Sequence, residues 1–183
     1  DSDFSKPQAF HETPVSRSGG IAAIISLSIF FYIYYLLYAV VLYDYIFISC
    51  SVFVIGFLDD LRINIKPSSR LITMIILLFT SIYMLPVKIL NIDIPFLTTL
   101  MTSHMFSSIF VLLCFLFVIN GANLIDGFNG LLTINLIIIN IILTYININN
   151  QNLEFSILLI SQIIILLSFL LFNFPNAKIF LGD

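Results

Sequence analysis

Charge is what this chain lacks. Asp, Glu, Lys and Arg together make up 9% of its 183 residues, against about 25% in a soluble domain. A surface so short of charge must face lipid over most of its area. The formal net charge of −3 says less than the positions of the few charges present. The chain has no basic tract and no interleaving of aromatic with basic residues, which excludes a nucleic-acid partner. Cysteine is also scarce. Cys50 and Cys114 fall inside apolar stretches without the close pairing of a disulfide framework or a zinc site, and they read as small apolar packing residues. The polar N-terminal tail contains no basic segment followed by an apolar one, so it is not a signal peptide. The chain opens on Asp1 rather than Met and stops at Phe180-Leu181-Gly182-Asp183. It therefore reads as an internal piece of a longer protein.

Apolar residues are what it has: 60% of the sequence is hydrophobic. A span needs about 20 such residues to cross about 30 Å of hydrocarbon. Gly20 to Leu58 is 39 residues interrupted only by Asp44. At 1.5 Å per residue that stretch is about 58 Å long, too long for one crossing and enough for two with a turn near Asp44. Continuing along the chain predicts six spans, at about 20–39, 42–58, 71–85, 99–119, 128–145 and 153–174. Between them lie polar stretches at 59–70 and 120–127, a loop at 87–98, and an Asn-rich turn around Asn147, Asn149, Asn150 and Asn152. His104 is expected near the interface. The predicted fold is an all-α polytopic membrane helix bundle, a single membrane domain over 1–183 with a polar tail at 1–19.

Six spans place the tail, 59–70, 120–127 and 175–183 on one side of the bilayer. The basic residues test this independently. Lys6, Arg17, Arg62, Lys66, Arg70 and Lys178 fall on that side and only Lys88 on the other. An excess of Lys and Arg in short loops marks the cytoplasm. The tail and these segments are thus predicted to face the cytoplasm. Asp59, Asp60, Asp126 and Asp183, with Asn120 and Asn123, gather on the cytoplasmic face, while Asp44, Asp93 and Glu154 scatter on the other.

Four segments could carry chemistry. Gly56-Phe57-Leu58-Asp59-Asp60 ends an apolar run on two carboxylates, which oppose the negative end of a helix; a metal or a basic partner would relieve them. The alternative is a solvated helix end. In Asn120-Gly121-Ala122-Asn123-Leu124-Ile125-Asp126-Gly127-Phe128-Asn129-Gly130, the polar residues at 120, 123 and 126 recur every three positions and drift along one helical face. Glycines among them allow close backbone approach. Such a set suits a diphosphate or a nucleoside, or else polar contacts between helices. Asn173 to Asp183 read alone is a membrane-exit loop. His11 to Gly20 read alone is a juxtamembrane linker.

Together the four segments resemble the polyprenyl-phosphate N-acetylhexosamine-1-phosphate transferases. That family shows H-x-x-P-x-x-R-x-G-G, matched by His11, Pro14, Arg17, Gly19 and Gly20. G-F-x-D-D is matched by Gly56, Phe57, Asp59 and Asp60, and N-x-x-N-x-x-D-G-x-x-G-L by Asn120, Asn123, Asp126, Gly127, Gly130 and Leu131. A-x-x-F-x-G-D is matched by Ala177, Phe180, Gly182 and Asp183. Order and spacing agree over essentially the whole chain.

The resemblance implies a set of roles. Asp183 is the magnesium-binding aspartate, joined by Asp126. Asp59, Asp60 and Asp126 are catalytic carboxylates, Asp59 handling the lipid phosphate proton. Asn120, Asn123, Gly127, Phe128, Asn129, Arg70, His11 and Arg17 bind substrate. The implied cofactor is Mg²⁺, with Mn²⁺ as an alternative ion. The partners are a polyprenyl phosphate acceptor, a UDP-sugar donor and the bilayer, and a homodimer is compatible with the chain. The implied reaction transfers a sugar 1-phosphate to the lipid phosphate and releases UMP, initiating a cell-surface polymer.

Two departures stand out. Asn129 replaces the Asp of many relatives, and Pro14-Val15-Ser16-Arg17 differs from the peptidoglycan branch, which favours a cell-surface polysaccharide branch. The family's later basic, His-containing loop has no counterpart here. Competing readings are a multi-span transporter or structural membrane subunit, and an inactive truncated transferase.

Overall fold

A computed structural model of the chain describes residues 15–60, 67–84, 92, 94–126 and 128–182. Seven helices occur among them: α1 (Gly19–Tyr38), α2 (Tyr43–Asp60), α3 (Pro67–Met84), α4 (Pro95–Met101), α5 (His104–Ile125), α6 (Leu131–Asn149) and α7 (Leu153–Asn173). Four of them, α1, α5, α6 and α7, are long and apolar enough to cross a membrane, and the apolar parts of α2 and α3 are shorter. Large apolar side chains such as Leu37, Phe117 and Leu171 are exposed along the helices, as a lipid-facing surface allows. The chain is a multi-span helical membrane protein.

Several boundaries differ from the sequence reading, each for a local reason. Residues 99–119 are not one helix: α4 starts with Pro95 in its first turn, and α5 begins only at His104. At its other end α5 runs on to Ile125, through most of the polar stretch at 120–127. Asn120 does not stop it, because its side-chain Nδ2 donates back to the Leu116 carbonyl at 2.7 Å. Asn147 likewise donates to the Leu143 carbonyl at 2.8 Å, so the Asn-rich segment is helical to Asn149 and the connection shrinks to 150–152. Serine and threonine follow the same pattern; Ser26, Ser28 and Ser168 each donate to the carbonyl four residues back. Away from water, a polar side chain is cheapest when its own helix satisfies it. Proline opens α3 at Pro67, where the missing N–H costs nothing.

The chain divides into two compact units. One comprises the described residues up to Ser49 together with those from Ala122 onward; the other is Cys50–Gly121. In the second, Ile55 of α2, Met74, Leu78 and Ile82 of α3, and Val111 and Leu112 of α5 form the buried core. The His104 ring meets Tyr83 edge-on, with centroids 5.9 Å apart. Cys50 and Cys114 are free and exposed, so neither packs in that core.

In the first unit α7 packs against both α6 and α1. The three-residue connection makes α6 and α7 an antiparallel hairpin, with Gln151 at φ 58° and the Asn152 side chain capping the Phe155 N–H. A buried cluster of Phe31, Tyr34, Leu42 and Leu158 joins the far end of α1 to the start of α7. The near end of α1 therefore meets the end of α7, and that is where the candidate site lies.

Candidate functional site

Three of the four motif-bearing segments meet at one end of the first unit. The chain approaching α1 lies beside the chain leaving α7, in a parallel bridge between Ser16 and Ile179. Phe180 N donates to the Ser16 carbonyl at 2.8 Å, Gly19 N to the Phe180 carbonyl at 2.9 Å, and Gly20 N to the Leu181 carbonyl at 2.7 Å. The first N–H groups of any helix lack partners within it. Ser18, at the N-cap of α1, supplies no side-chain bond. Carbonyls of the last motif fill that role.

The glycine pair is what allows so close an approach. A Cβ on Gly19 would lie 2.6 Å from the Phe180 carbonyl oxygen and 2.6 Å from a ring carbon of Phe169; on Gly20 it would lie 2.9 Å from the Leu181 oxygen. A flexible linker, the plain reading of this tail, would not need either residue.

The turn between α5 and α6 is tied to the same place. Asn129 Nδ2 donates to the Pro175 carbonyl at 2.8 Å, and Gly130 N donates to Asn173 Oδ1 at 2.6 Å. Asn173, only 2% exposed, also donates through Nδ2 to the Ile179 carbonyl at 2.8 Å. One buried amide thus joins the third motif to the fourth. Sequence reasoning placed Asn173 at the head of an exit loop and gave it no role. Its signal was a lone amide closing an apolar helix just before Phe174-Pro175.

The bonding of Asn129 bears on its departure from aspartate. An ionised carboxylate only accepts hydrogen bonds and could not donate to the Pro175 carbonyl. Asn129 Oδ1 is buried without a hydrogen-bond partner among the described residues, as is Thr133 Oγ1 one turn later. Asp126 follows α5 directly, its N–H donating to the Ala122 carbonyl at 3.0 Å, and Phe128 is exposed in the turn. Asn123 is half-buried in the last turns of α5, and Arg17 is half-buried beside the Ser16–Ile179 bridge.

Asp59, Asp60, Arg70 and Asn120 belong to the second unit. Asp59 and Asp60 are the last two residues of α2, and Arg70 lies in the first turn of α3. Both placements oppose the helix dipole, at about 0.3–1 kcal/mol each when exposed. The acids outside the proposed site behave oppositely: Asp44 and Glu154 sit in the first turns of α2 and α7, where the dipole favours them. Helix stability accounts for Asp44 and Glu154. It does not account for Asp59, Asp60 or Arg70. His11, Gly127 and Asp183 lie outside the described residues, as do the side chains of Asp59 and Asp60.

Among the described residues no cluster of three metal-ligating side chains occurs. The donor chemistry nevertheless fits a hard cation. The Asp126 carboxylate and several amides lie on the segments that meet here, with no thiol or imidazole among the described residues of this end, and magnesium takes oxygen ligands from few carboxylates plus substrate phosphates. Asp126 and the segment entering Asp183 are the parts of the chain that would hold it.

Residues 42–183 match the model of glycosyl transferase family 4. The chain is 34% identical over 137 residues to a phospho-N-acetylmuramoyl-pentapeptide-transferase of Clostridium perfringens (strain 13 / Type A), covering 70% of this chain and 43% of that protein. It is 34% identical over 139 residues to the protein of the same name from Streptococcus thermophilus (strain CNRZ 1066), covering 71% and 40%. For that of Streptococcus agalactiae serotype III (strain NEM316) the figures are 36% over 141 residues, 71% and 41%. The chain thus spans about two fifths of the length of these relatives. No solved structure matches it.

Proposed function

The chain belongs to glycosyl transferase family 4, and from that premise we propose that the protein transfers a sugar 1-phosphate from a UDP-sugar to polyprenyl phosphate at the cytoplasmic face of a bacterial membrane. The observation that carries the reading is the junction of the first, third and fourth motif segments. It is built from the Gly19 and Gly20 amides on Phe180 and Leu181 and from Asn173 between Gly130 and Ile179. Segments distant in sequence form one junction at one end of the first unit. A lipid-borne acceptor and a water-borne donor can meet there.

In the proposed reaction an oxygen of the lipid phosphate attacks the β-phosphorus of the UDP-sugar. A new P–O bond forms, the bond from the β-phosphorus to the bridging oxygen breaks, and UMP leaves with that oxygen. Any proton on the lipid phosphate passes to the Asp59 carboxylate. Two anions must approach, so the protein's task is chiefly to position them and to offset their charge. Bound Mg²⁺ supplies charge neutralisation at the diphosphate.

Arg70 offers a planar cationic fork for a phosphate, and Arg17, at the head of α1, offers a second. Asn120 Oδ1, Asn123 and the exposed Phe128 ring border the donor. Asn129, held on the Pro175 carbonyl, positions the turn that carries Phe128 beside the donor. The Asp59, Asp60 and Arg70 placements against the helix dipole support these roles, because bound phosphate and cation would offset them.

The relatives reported above act, by name, on a phospho-N-acetylmuramoyl-pentapeptide. The tail that favours a polysaccharide branch lies outside residues 42–183, to which the family model is matched. The sugar is therefore decided by donor competition. Membranes containing the full-length protein, given polyprenyl phosphate and labelled UDP-N-acetylhexosamine or UDP-N-acetylmuramoyl-pentapeptide, are expected to yield butanol-extractable labelled lipid and equimolar UMP. Absence of labelled lipid with every donor would refute the transferase reading.

A further inference from the structure

We propose that Gly19, Gly20 and Asn173 are positioning residues that clasp the strip Ile179–Gly182 from two sides and so fix the chain entering Asp183. The inference rests on the reading of Asp183 as a metal-binding residue of the transferase.

Four backbone groups of the strip are held from outside it. The Ile179 carbonyl accepts from Asn173, Phe180 N donates to the Ser16 carbonyl, and the Phe180 and Leu181 carbonyls accept from Gly19 and Gly20. Gly182 follows at φ 87°, a conformation that favours glycine. Neither side of the clasp is replaceable by ordinary packing. On one side, any side chain at Gly19 collides with a backbone oxygen that cannot swing away. On the other, Asn173 is buried and satisfies two backbone groups at once, one in each motif. Its second bond, from Gly130 N, links the strip to the turn that begins at Asp126. A single junction therefore ties the chain at Gly130 to the strip at Ile179.

This arrangement matters to a cation held by few protein ligands. Such sites demand ligand placement to within about 0.5 Å, secured by residues that do not themselves touch the ion. The clasp residues have no group suited to catalysis. Gly19 and Gly20 offer only backbone, and both polar atoms of the buried Asn173 amide are engaged in the clasp. Their effect must pass through the strip.

The test uses the full-length protein in lipid nanodiscs, with variants Gly20→Ala, Gly19→Ala and Asn173→Ala. Two quantities are read: hydrogen exchange of peptides covering 178–182, and the Mg²⁺ concentration giving half-maximal UMP release. Loss of partners around a metal ligand typically costs about 10–100-fold in metal affinity or activity. Gly19→Ala and Asn173→Ala are expected to lose protection at Phe180 and to raise half-saturating Mg²⁺ by that factor, with KM for the lipid acceptor unchanged. Gly20→Ala, which meets only the Leu181 carbonyl group, is expected to shift both less and serves if the harsher variants do not fold. Wild-type protection of 178–182 in all the folded variants would overturn the clasp. If the wild type itself shows no Mg²⁺-dependent release, the reading of Asp183 falls, and the exchange data alone decide the clasp. Lost protection together with an unchanged Mg²⁺ requirement would also overturn the positioning role.

Discussion

Gly130 and Gly121 belong to the same segment and face opposite constraints. Gly130 sits at φ 73°, and a Cβ there would lie 3.0 Å from Phe174 Cδ2 and 3.3 Å from Leu170 Cδ1. Left-handed backbone costs an L-residue roughly 1–2 kcal/mol before any clash. Gly130→Ala is therefore expected to lower the thermal unfolding midpoint in detergent by at least that much stability. Gly121 lies inside α5 with nothing within 4 Å of an added Cβ. Alanine there removes the helix-interior cost of glycine, about 0.8–1 kcal/mol, so Gly121→Ala is expected to raise the midpoint. A reversed order for the two variants would contradict the described turn at 128–130. Asp183→Asn makes a separate test. The substitution keeps size and removes charge, and in the full-length protein it is expected to abolish Mg²⁺-dependent UMP release without lowering membrane expression. Full activity in that variant would remove Asp183 from the mechanism.

The hairpin of α6 and α7 turns on Asn152, whose Oδ1 accepts from the Phe155 N–H at 3.3 Å and whose own N–H donates to the Asn147 carbonyl at 2.9 Å. Removing an N-cap side chain costs about 1 kcal/mol. Asn152→Ala is expected to lower the unfolding midpoint accordingly while leaving UMP release at the wild-type level, since the cap lies at the opposite end of α7 from the clasp. Loss of activity at unchanged stability would place the hairpin turn in the site and contradict this assignment. Helix ends also explain where the sequence reading slipped. Hydropathy marks an apolar stretch, but a helix stops where its backbone stops repeating. Asn120 and Asn147 each bond back to their own helix, so polarity there carried no stop signal. Pro95, by contrast, opens a short helix inside a segment read as loop.

For the molecule as a whole, composition sufficed for the membrane class, because a surface with so little charge has one compatible solvent. The junction at the end of α1 and α7 was legible only in part. Motif spacing named Gly19, Gly20, Gly130 and Phe180, yet nothing local says that Gly19 touches Phe180. Contacts at such separation leave no periodic trace. Asn173 escaped for the same reason: its two partners lie 43 residues before and 6 residues after it. The central claim is that carboxylates from separate segments face one aqueous compartment. Single cysteines placed by Asp60→Cys, Asp126→Cys and Lys88→Cys, in a protein with Cys50 and Cys114 replaced by serine, test it most directly. A membrane-impermeant maleimide added to intact cells is expected to modify only position 88, with 60 and 126 reacting once the membrane is opened. Modification of 60 and 126 from opposite sides would contradict the account.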